Sequence, residues 1–581
     1  MLSLPADAAP LWLEPSDVFV SRYSTGDPAV AMNGAGEAVA AWADRHSVRV
    51  AMKGATGNSW GKSRRLSEGL RPQVAIDGKG DAVAVWEHWE GEKLLLESSF
   101  RSAGGQWRAP AILSDNILEG QGKWELVMNP RGDAALTWMQ SHREPFFESF
   151  INSYSDFARV MPAGSGAWGP AVQLSLTGYV TDSDIALDAR GDVLAAWREA
   201  FRPGPATPTV QAAFGSASIP DGGWQAPMAL SAGAAEIGEE LQAAIGVRGG
   251  AAVVWTTTPS GCGPMVGTAF AGGSWSTPGE ISPPGECALQ PKLAVGGRRR
   301  ALAIWDGIER VSTLQASSGS TSTGHWEQPT QLAVIGPDPT LPSCQDLCPG
   351  PPLAFARLAM GPDDTAAVTW SKAGSQTPRE REIDAALLLP GATRWRRAAS
   401  LAVASNAYGP LPVAPRVAVG SRRHAIVVWS ANGLIQADEL LDQRLLRTAR
   451  LTRSRFPVVR GGKGSSAKSR GGTRIEFAIS APARLRVTIF RLLPGIRPDL
   501  QCIPVPADLQ KKNTRRCTRK RLIGVLSNRL QSQGRGNLRF DGSLRGRPLK
   551  PGVYEAVLAA SRSKSRSEPV ALPFKVLPGR R

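Results

Sequence analysis

Five carboxylates stand close behind repeated tryptophans: Asp44, Glu87, Glu90, Glu92 and Glu199. Two carboxylates that converge across a cleft can share general-acid and general-base work on a glycosidic bond, which makes this set the candidate for catalysis. Glu87, His88 and Trp89, together with Arg198 and Glu199, form a candidate of another kind. An indole, an imidazole, a guanidinium and carboxylates at one rim are the groups of a ligand-binding surface, and charged loop residues are more often solvated than catalytic.

Metal chemistry fits less well. Asp77-Gly-Lys-Gly-Asp81 and Asp188-Ala-Arg-Gly-Asp192 have the look of calcium-loop fragments, but four of the eight equivalent positions carry Gly where a ligand oxygen is needed. The six cysteines fall into near-neighbour pairs, Cys262 with Cys287, Cys344 with Cys348 and Cys502 with Cys517. That is the spacing of local disulfides and of an exported protein. Cys344 and Cys348 have only Asp346 between them and no His nearby, which argues against zinc. No metal and no cofactor is expected.

These side chains ride on a repeat. A block such as Pro72-Gln-Val-Ala-Ile-Asp-Gly-Lys-Gly-Asp-Ala-Val-Ala-Val-Trp86 recurs eight times without a gap, ending at Trp42, Trp86, Trp138, Trp197, Trp255, Trp305, Trp370 and Trp429. Two apolar runs around a polar turn read as a β-hairpin. Nine residues before each Trp stands Asn33, Asp77, Asn129, Asp188, Gly246, Gly296, Gly361 or Gly420. Asn, Asp and Gly close an Asx turn or tolerate a left-handed backbone, so turn geometry sets this position.

A variable segment, a third strand and a second Trp follow in seven copies: Trp60, Trp107, Trp168, Trp224, Trp275, Trp326 and Trp395. Pro110, Pro170, Pro227, Pro278 and Pro329 come two or three residues later, and Ser67, Ser114, Ser175, Ser231 and Ser282 come seven residues later. Proline cannot donate to a ladder, so the fourth strand is an outer edge. Four strands per unit, recurring every 44 to 65 residues, is propeller arithmetic. The expected fold is all-β: an eight-bladed β-propeller, with seven blades as the alternative, followed by a small immunoglobulin-like β-sandwich. Trp12 to Phe19 has the fourth-strand pattern and would complete the last blade; Leu445 to Thr452 competes for that place. Both Trp sets read as packing wedges rather than a sugar-binding ring.

Charge divides the chain. Residues 447–581 hold 32 Lys+Arg against 6 Asp+Glu, leaving 36 against 44 for residues 1–446. The predicted domains are a propeller over 1–452, a flexible basic Gly/Ser linker over 453–472 and a basic sandwich over 473–581. An acidic propeller argues against a nucleic-acid groove, since phosphates need positive charge where the polymer lies. Only the tail could bind a polyanion by charge, through Lys511 to Arg521, and no aromatic platform interleaves those bases. Nothing reaches the ~18 to 20 apolar residues of a membrane span. Ala6-Asp7-Ala8 has the small-x-small spacing of a signal-peptidase site, which points to a signal peptide whose front is missing.

Ala103-Gly-Gly-Gln-Trp107 and Asp221-Gly-Gly-Trp224 resemble the Asp-box turn of sialidase-like and related secreted bacterial propellers. They keep the Gly and Trp of that turn and mostly lack its Ser and Asp. The resemblance implies the architecture and carries no active site, because no arginine triad, Tyr–Glu pair or acid Asp can be matched. In the tail, Leu549-Lys-Pro-Gly-Val-Tyr554 resembles the tyrosine corner of immunoglobulin-like and fibronectin-like sandwiches. Thr473 to Phe490, the Cys-bounded basic loop and Gly536 to Phe540 are similar to the carboxy-terminal sandwich of secreted proteins from high-GC bacteria.

In a four-stranded antiparallel blade, the first-to-second and third-to-fourth turns share one face, and the remaining connections share the other. The first-to-second turn never varies in length, whereas the connections after Trp86 and Trp197 and between blades do. Variable loops gathered at one end make a binding face. The leading expectation is a secreted or cell-surface protein that binds an extracellular protein or polysaccharide there, with its basic tail on an anionic envelope polymer. A glycan-cleaving enzyme with carboxylates at the channel mouth and a ligand-free envelope spacer are the alternatives.

Overall fold

The repeat folds as its strand pattern requires. Each Trp-terminated block forms two antiparallel strands, and the following strands extend the same sheet in chain order, as in Leu70–Ile76, Ala82–Glu90, Lys93–Arg101 and Ala111–Ile112. The computed structural model describes residues 11–578 except for short stretches, the longest being 200–207, 338–354, 406–413, 459–471 and 505–515. Among the described residues eight such sheets follow one another, and no helix occurs.

The first strand of each sheet touches the first strand of the next. The series runs from Thr25–Met32 through Leu70–Ile76, Trp124–Met128, Val180–Leu187, Ile237–Ile245, Cys287–Val295 and Arg357–Met360 to Arg416–Val419, which touches Thr25–Met32 again. A closed cycle of antiparallel sheets with their first strands innermost is a β-propeller. The cycle is joined by the start of the chain: Ser16–Val20 pairs with Leu434–Leu441, placing Ser16 opposite Ala437 and Val20 opposite Leu434. The competing segment is used elsewhere, since Leu446–Leu451 pairs with Thr473–Ile479.

All eight hairpin tryptophans are fully buried. Trp86, for example, packs with Val39, Ala41, Val48 and Val50 of the preceding sheet, the wedge expected of a large side chain between blades. Removing such an indole from a core costs about 3–5 kcal/mol. The repeated serines have a structural task as well. Ser114, Ser175, Ser231 and Ser282 Oγ accept the backbone N–H groups of Leu96, Asp156, Val210 and Met265 at 2.8–3.1 Å, fixing the short, proline-limited outer strands to the third strands.

Turn geometry is more specific than residue type alone suggests. The left-handed residue lies three positions after the Asn/Asp/Gly site, at Gly36, Gly80, Gly132, Gly191 and Gly249, and at Arg299 and Asp364. The site itself serves as an Asx cap and a tie to the next sheet. Asn129 Oδ1 accepts N–H groups of Arg131, Gly132 and Asp133, and its Nδ2 donates to Asp188 O at 2.9 Å. Asn33 repeats this, donating to Asp77 O at 3.0 Å. Asp77 and Asp188 Oδ1 likewise accept turn N–H groups, so the apparent calcium fragments are Asx turns. Where Gly stands, the next copy is too near for a side chain: a Cβ on Gly361 would lie 2.3 Å from Gly420 O, and one on Gly296 would meet the Asp364 and Met360 side chains.

The second compact unit comprises Asp442–Arg581. Leu446–Leu451, Thr473–Ile479 and Gly534–Phe540 form one sheet. Arg455–Pro457, Val570–Leu577, Gly552–Arg562 and Ala483–Ile496 form another, to which Arg516–Gln531 is added. Leu485, Val487 and Ile489 are buried while Arg484 and Arg486 are exposed, the alternation of a half-buried strand. Phe456, Phe574 and Tyr554 stack in the core with Phe540 edge-on to Phe456 and Phe574, and Tyr554 OH donates to Lys550 O at 2.7 Å.

This unit starts earlier than expected. The division falls at Leu441/Asp442, not at 452, and Arg455–Pro457 inside the expected linker is a strand parallel to Val570–Leu577. The physical reason is burial: Leu446 and Phe456 are each 1 % exposed in the core of this unit. Of the cysteines, Cys287 is buried at the start of its strand and Cys517 lies in Arg516–Gln531. Cys262, Cys344, Cys348 and Cys502 lie outside the described residues.

Candidate functional site at the channel

The innermost strands surround a cavity of about 750 Å³. One position recurs on its wall, four residues before each Asn/Asp/Gly turn site. Around the ring it is Ala29, Gln73, Glu125, Asp184, Gln242, Lys292, Arg357 and Arg416, and all eight line the cavity. Their order matters. Two acids occupy neighbouring sheets, and three bases occupy three consecutive sheets on another arc. Two residues further toward the turn the position is Ala31, Ala75, Ala186, Ala244, Ala294, Ala359 or Ala418, with Val127 the exception. The charged ring thus lies about 13 Å along the strand from the fixed turns, and the cavity lining continues past it to Asp27 and Arg71.

A recurrent distortion precedes the ring. Asp27, Arg71, Gln290 and Phe355, each six residues before its turn site, have φ between 47° and 51°. The ladder shifts register between Gly26 and Ala29, Leu70 and Gln73, and Leu289 and Lys292. A bulge with a left-handed non-glycine residue re-aims the side chains beside it and is held by surrounding structure. Here it sets the angle at which the ring residues enter the wall.

Part of the ring ties sheet to sheet. Gln73 Nε2 donates to Trp124 O at 2.8 Å and its Oε1 accepts Leu126 N at 3.1 Å, so the amide pairs with the free inner edge of the next sheet. Asp184 Oδ2 accepts Ala243 N at 2.8 Å in the same manner, and Asp182 Oδ2 accepts Leu241 N at 2.7 Å. Arg416 Nε donates to Pro28 O at 3.3 Å across the closing joint.

Burial sets the electrostatics. It pushes the Asp184 carboxyl up to about 8, helped by the neighbouring Glu125 charge. Glu125 is also raised by burial, against the opposing pull of Arg416, Gln73 and Lys292. Arg416 is lowered by burial, with Glu125 and Asp27 acting in the other direction. Burial therefore favours the protonated form of Asp184, and the bases Lys292, Arg357 and Arg416 stand on a different arc of the wall from Glu125 and Asp184.

No family model matches the sequence, and no curated protein matches it. Among solved structures, an ulvan lyase from a new polysaccharide lyase family aligns with 72% of this chain and 94% of its own, at 9% identity and a TM-score of 0.37. The six-bladed propeller lectin of the fungus Aleuria aurantia aligns over 56% of this chain and 99% of its own, at 16% identity and a TM-score of 0.31. The propeller domain of the Trilobed protease from Pyrococcus furiosus, which has an open velcro topology, covers 65% and 97%, at 8% identity and a TM-score of 0.35. At these values the likeness says nothing about ligand or chemistry.

The residues singled out from the sequence divide sharply. Glu87 belongs to the cavity wall: its Oε1 accepts Trp124 Nε1 at 3.1 Å and lies 3.5 Å from Arg71, and burial raises its pKa against both partners. His88, Trp89 and Glu90 continue the strand Ala82–Glu90 beyond the cavity, with Trp89 exposed. Arg198 and Glu199 do not line the cavity. They end the strand Asp192–Glu199 and are buried, Arg198 donating to Thr181 Oγ1 and Ile237 O. Asp44 is paired with Arg49 at 2.8 Å. Glu87 shares the cavity wall with Asp27, Glu125 and Asp184, and the last two, which the sequence analysis does not single out, stand at one fixed offset from the turn.

Proposed function

We propose that this protein binds an acidic polysaccharide at the mouth of the propeller channel, on the face that carries the variable connections. The observation that carries this reading is the polarised ring. Lys292, Arg357 and Arg416 offer charge-assisted hydrogen bonds to carboxylate or sulfate groups, while Glu125 and protonated Asp184 offer partners to hydroxyls. The cavity volume falls in the range of ligand sites, and the left-handed residues behind the ring favour a held, preorganised wall. In this reading each sheet is one blade of an eight-bladed propeller of the secreted, sialidase-like type without that family's active site. The Asp442–Arg581 unit is an immunoglobulin-like sandwich, supported by the Tyr554 corner bond, and attaches to an anionic envelope polymer. The protein acts outside the cell, with Cys262–Cys287, Cys344–Cys348 and Cys502–Cys517 as local disulfides after removal of a signal peptide.

Binding of the full chain to polygalacturonate, dextran sulfate and neutral dextran, with Lys292→Gln/Arg357→Gln beside the parent, tests the channel. The acidic polymers should bind and weaken at least about tenfold in the double variant. Equal binding by parent and variant ends the reading, and capture of a protein instead of either polymer replaces its ligand class.

One observation favours a second reading, cleavage of the same polymers: Glu125 and Asp184 are neighbouring carboxyls whose burial raises both, the condition for an acid near neutrality. Release of new polymer ends that stops in Asp184→Asn would support it; a parent that binds without releasing ends would exclude it.

A further inference from the structure

A second cavity, of about 640 Å³, lies between two neighbouring sheets and shares no lining residue with the channel. Leu332 of Thr330–Pro337 lines one side, and Lys372, Glu382, Asp384 and Trp395 of the next sheet line the other. Ala398, also in the wall, stands three residues after Trp395, where Pro110, Pro227, Pro278 and Pro329 stand after their own tryptophans.

Asp384 is 4 % exposed and faces the core indole of Trp370 across the second and third strands. Glu97 occupies the matching place opposite Trp86, and its Oε2 accepts the Trp86 indole proton at 2.9 Å. Asp384 is one methylene shorter. Trp370 Nε1 and Asp384 Oδ1 are both buried without a hydrogen-bond partner, while Asp384 Oδ2 turns to Lys372 Nζ at 2.7 Å, which also reaches Glu382 Oε2 at 3.3 Å. A buried carboxylate oxygen left unpaired beside a cavity is costly unless something fills that cavity and donates to it.

The wall chemistry selects what fills it. Lys372, Arg394 and Arg396 against Glu382 and Asp384 leave one net positive charge, so no strong field favours a polyion. What remains is amphipathic: a half-buried indole with Leu332 facing it from the neighbouring sheet, beside two carboxylates and an ammonium. A pyranose matches it, with an apolar C–H face for the indole and a rim of hydroxyls that donate to carboxylates and accept from lysine. We propose that this inter-sheet cavity is a binding site for a neutral pyranose, with Trp395 as its stacking platform and Asp384, Glu382 and Lys372 as its hydroxyl partners.

The site is independent of the channel reading and is tested with different probes. The full chain is titrated with galactose, glucose, mannose and N-acetylglucosamine, following binding by calorimetry and by tryptophan fluorescence. At least one sugar should bind saturably with Kd of about 1 mM or tighter, and Trp395→Ala and the isosteric Asp384→Asn should each weaken it at least about tenfold. Trp395→Phe should retain more affinity than Trp395→Ala, because a smaller ring still stacks. Saturable binding of none of the four sugars overturns the proposal, as does equal affinity in parent and Asp384→Asn, which keeps shape and volume if Trp395→Ala unfolds.

Discussion

The two ends of the innermost strands obey different rules. At the turn end, eight copies use three residue types, because each site either caps its own turn and reaches the next sheet, as Asn129 does, or makes room for a neighbouring carbonyl, as Gly361 does. Four residues away the same strands carry Ala, Gln, Glu, Asp, Lys and Arg at one equivalent position. Sterics and backbone hydrogen bonds converge on one solution wherever consecutive copies touch. At this cavity-facing position the copies differ, and the bonds to the next sheet are made by side chains of different types, as by Gln73 and Asp184. The contrast teaches that in a cyclic repeat uniform positions report the scaffold, whereas a position that is structurally equivalent yet chemically varied reports the site.

The largest effect should come from breaking the uniform end. Gly361→Ala puts a methyl group against Gly420 O and should destabilise the propeller by about 2–3 kcal/mol, read as a lower denaturation midpoint. Asn129→Ala removes a cap for three N–H groups and the tie to Asp188 O, and should cost about 1–3 kcal/mol by the same measurement. Either variant melting like the parent would remove the argument that turn contacts hold the ring.

Asp184 sharpens the comparison through pH. Folded, it holds its proton up to about 8; unfolded, it loses that proton near the ordinary carboxyl value of about 3.9. Its folded value is raised, so its stabilising contribution is complete below pH about 4 and declines as pH rises toward 8. Asp156, pushed up to about 7 by burial, acts in the same direction. Asp184→Asn should therefore flatten the fall in melting temperature between pH 4 and 8, and an unchanged slope would contradict a protonated Asp184. The smallest effect belongs to the exposed side of a rim pair: Arg71→Ala loses a half-exposed partner of Glu87 and should change stability by no more than about 1 kcal/mol.

Much of the fold was legible because its causes are local. The Trp spacing, the turn residues, the outer-strand prolines and the Trp12–Phe19 closing strand each follow from hydrogen-bonding capacity or side-chain size read along the chain. The site was legible only in part. Glu87 lines the cavity, whereas Arg198 and Glu199 are buried at the end of a strand that runs further than its loop-like sequence suggests, and they do not line it. Leu446 and Phe456 join the basic unit because burial, which depends on distant partners, outweighs the Gly/Ser/basic composition beside them.

By itself the sequence determined eight equivalent hairpins, their fixed turns, an acidic repeat and a basic tail, since period and backbone chemistry act between neighbours in the chain. Only the tertiary structure decided that Glu125 and Asp184 share one channel with Lys292, Arg357 and Arg416, and that Asp384 leaves its core tryptophan for a cavity. These facts depend on which copies ring closure brings face to face, and on how deeply each charge is buried once they meet.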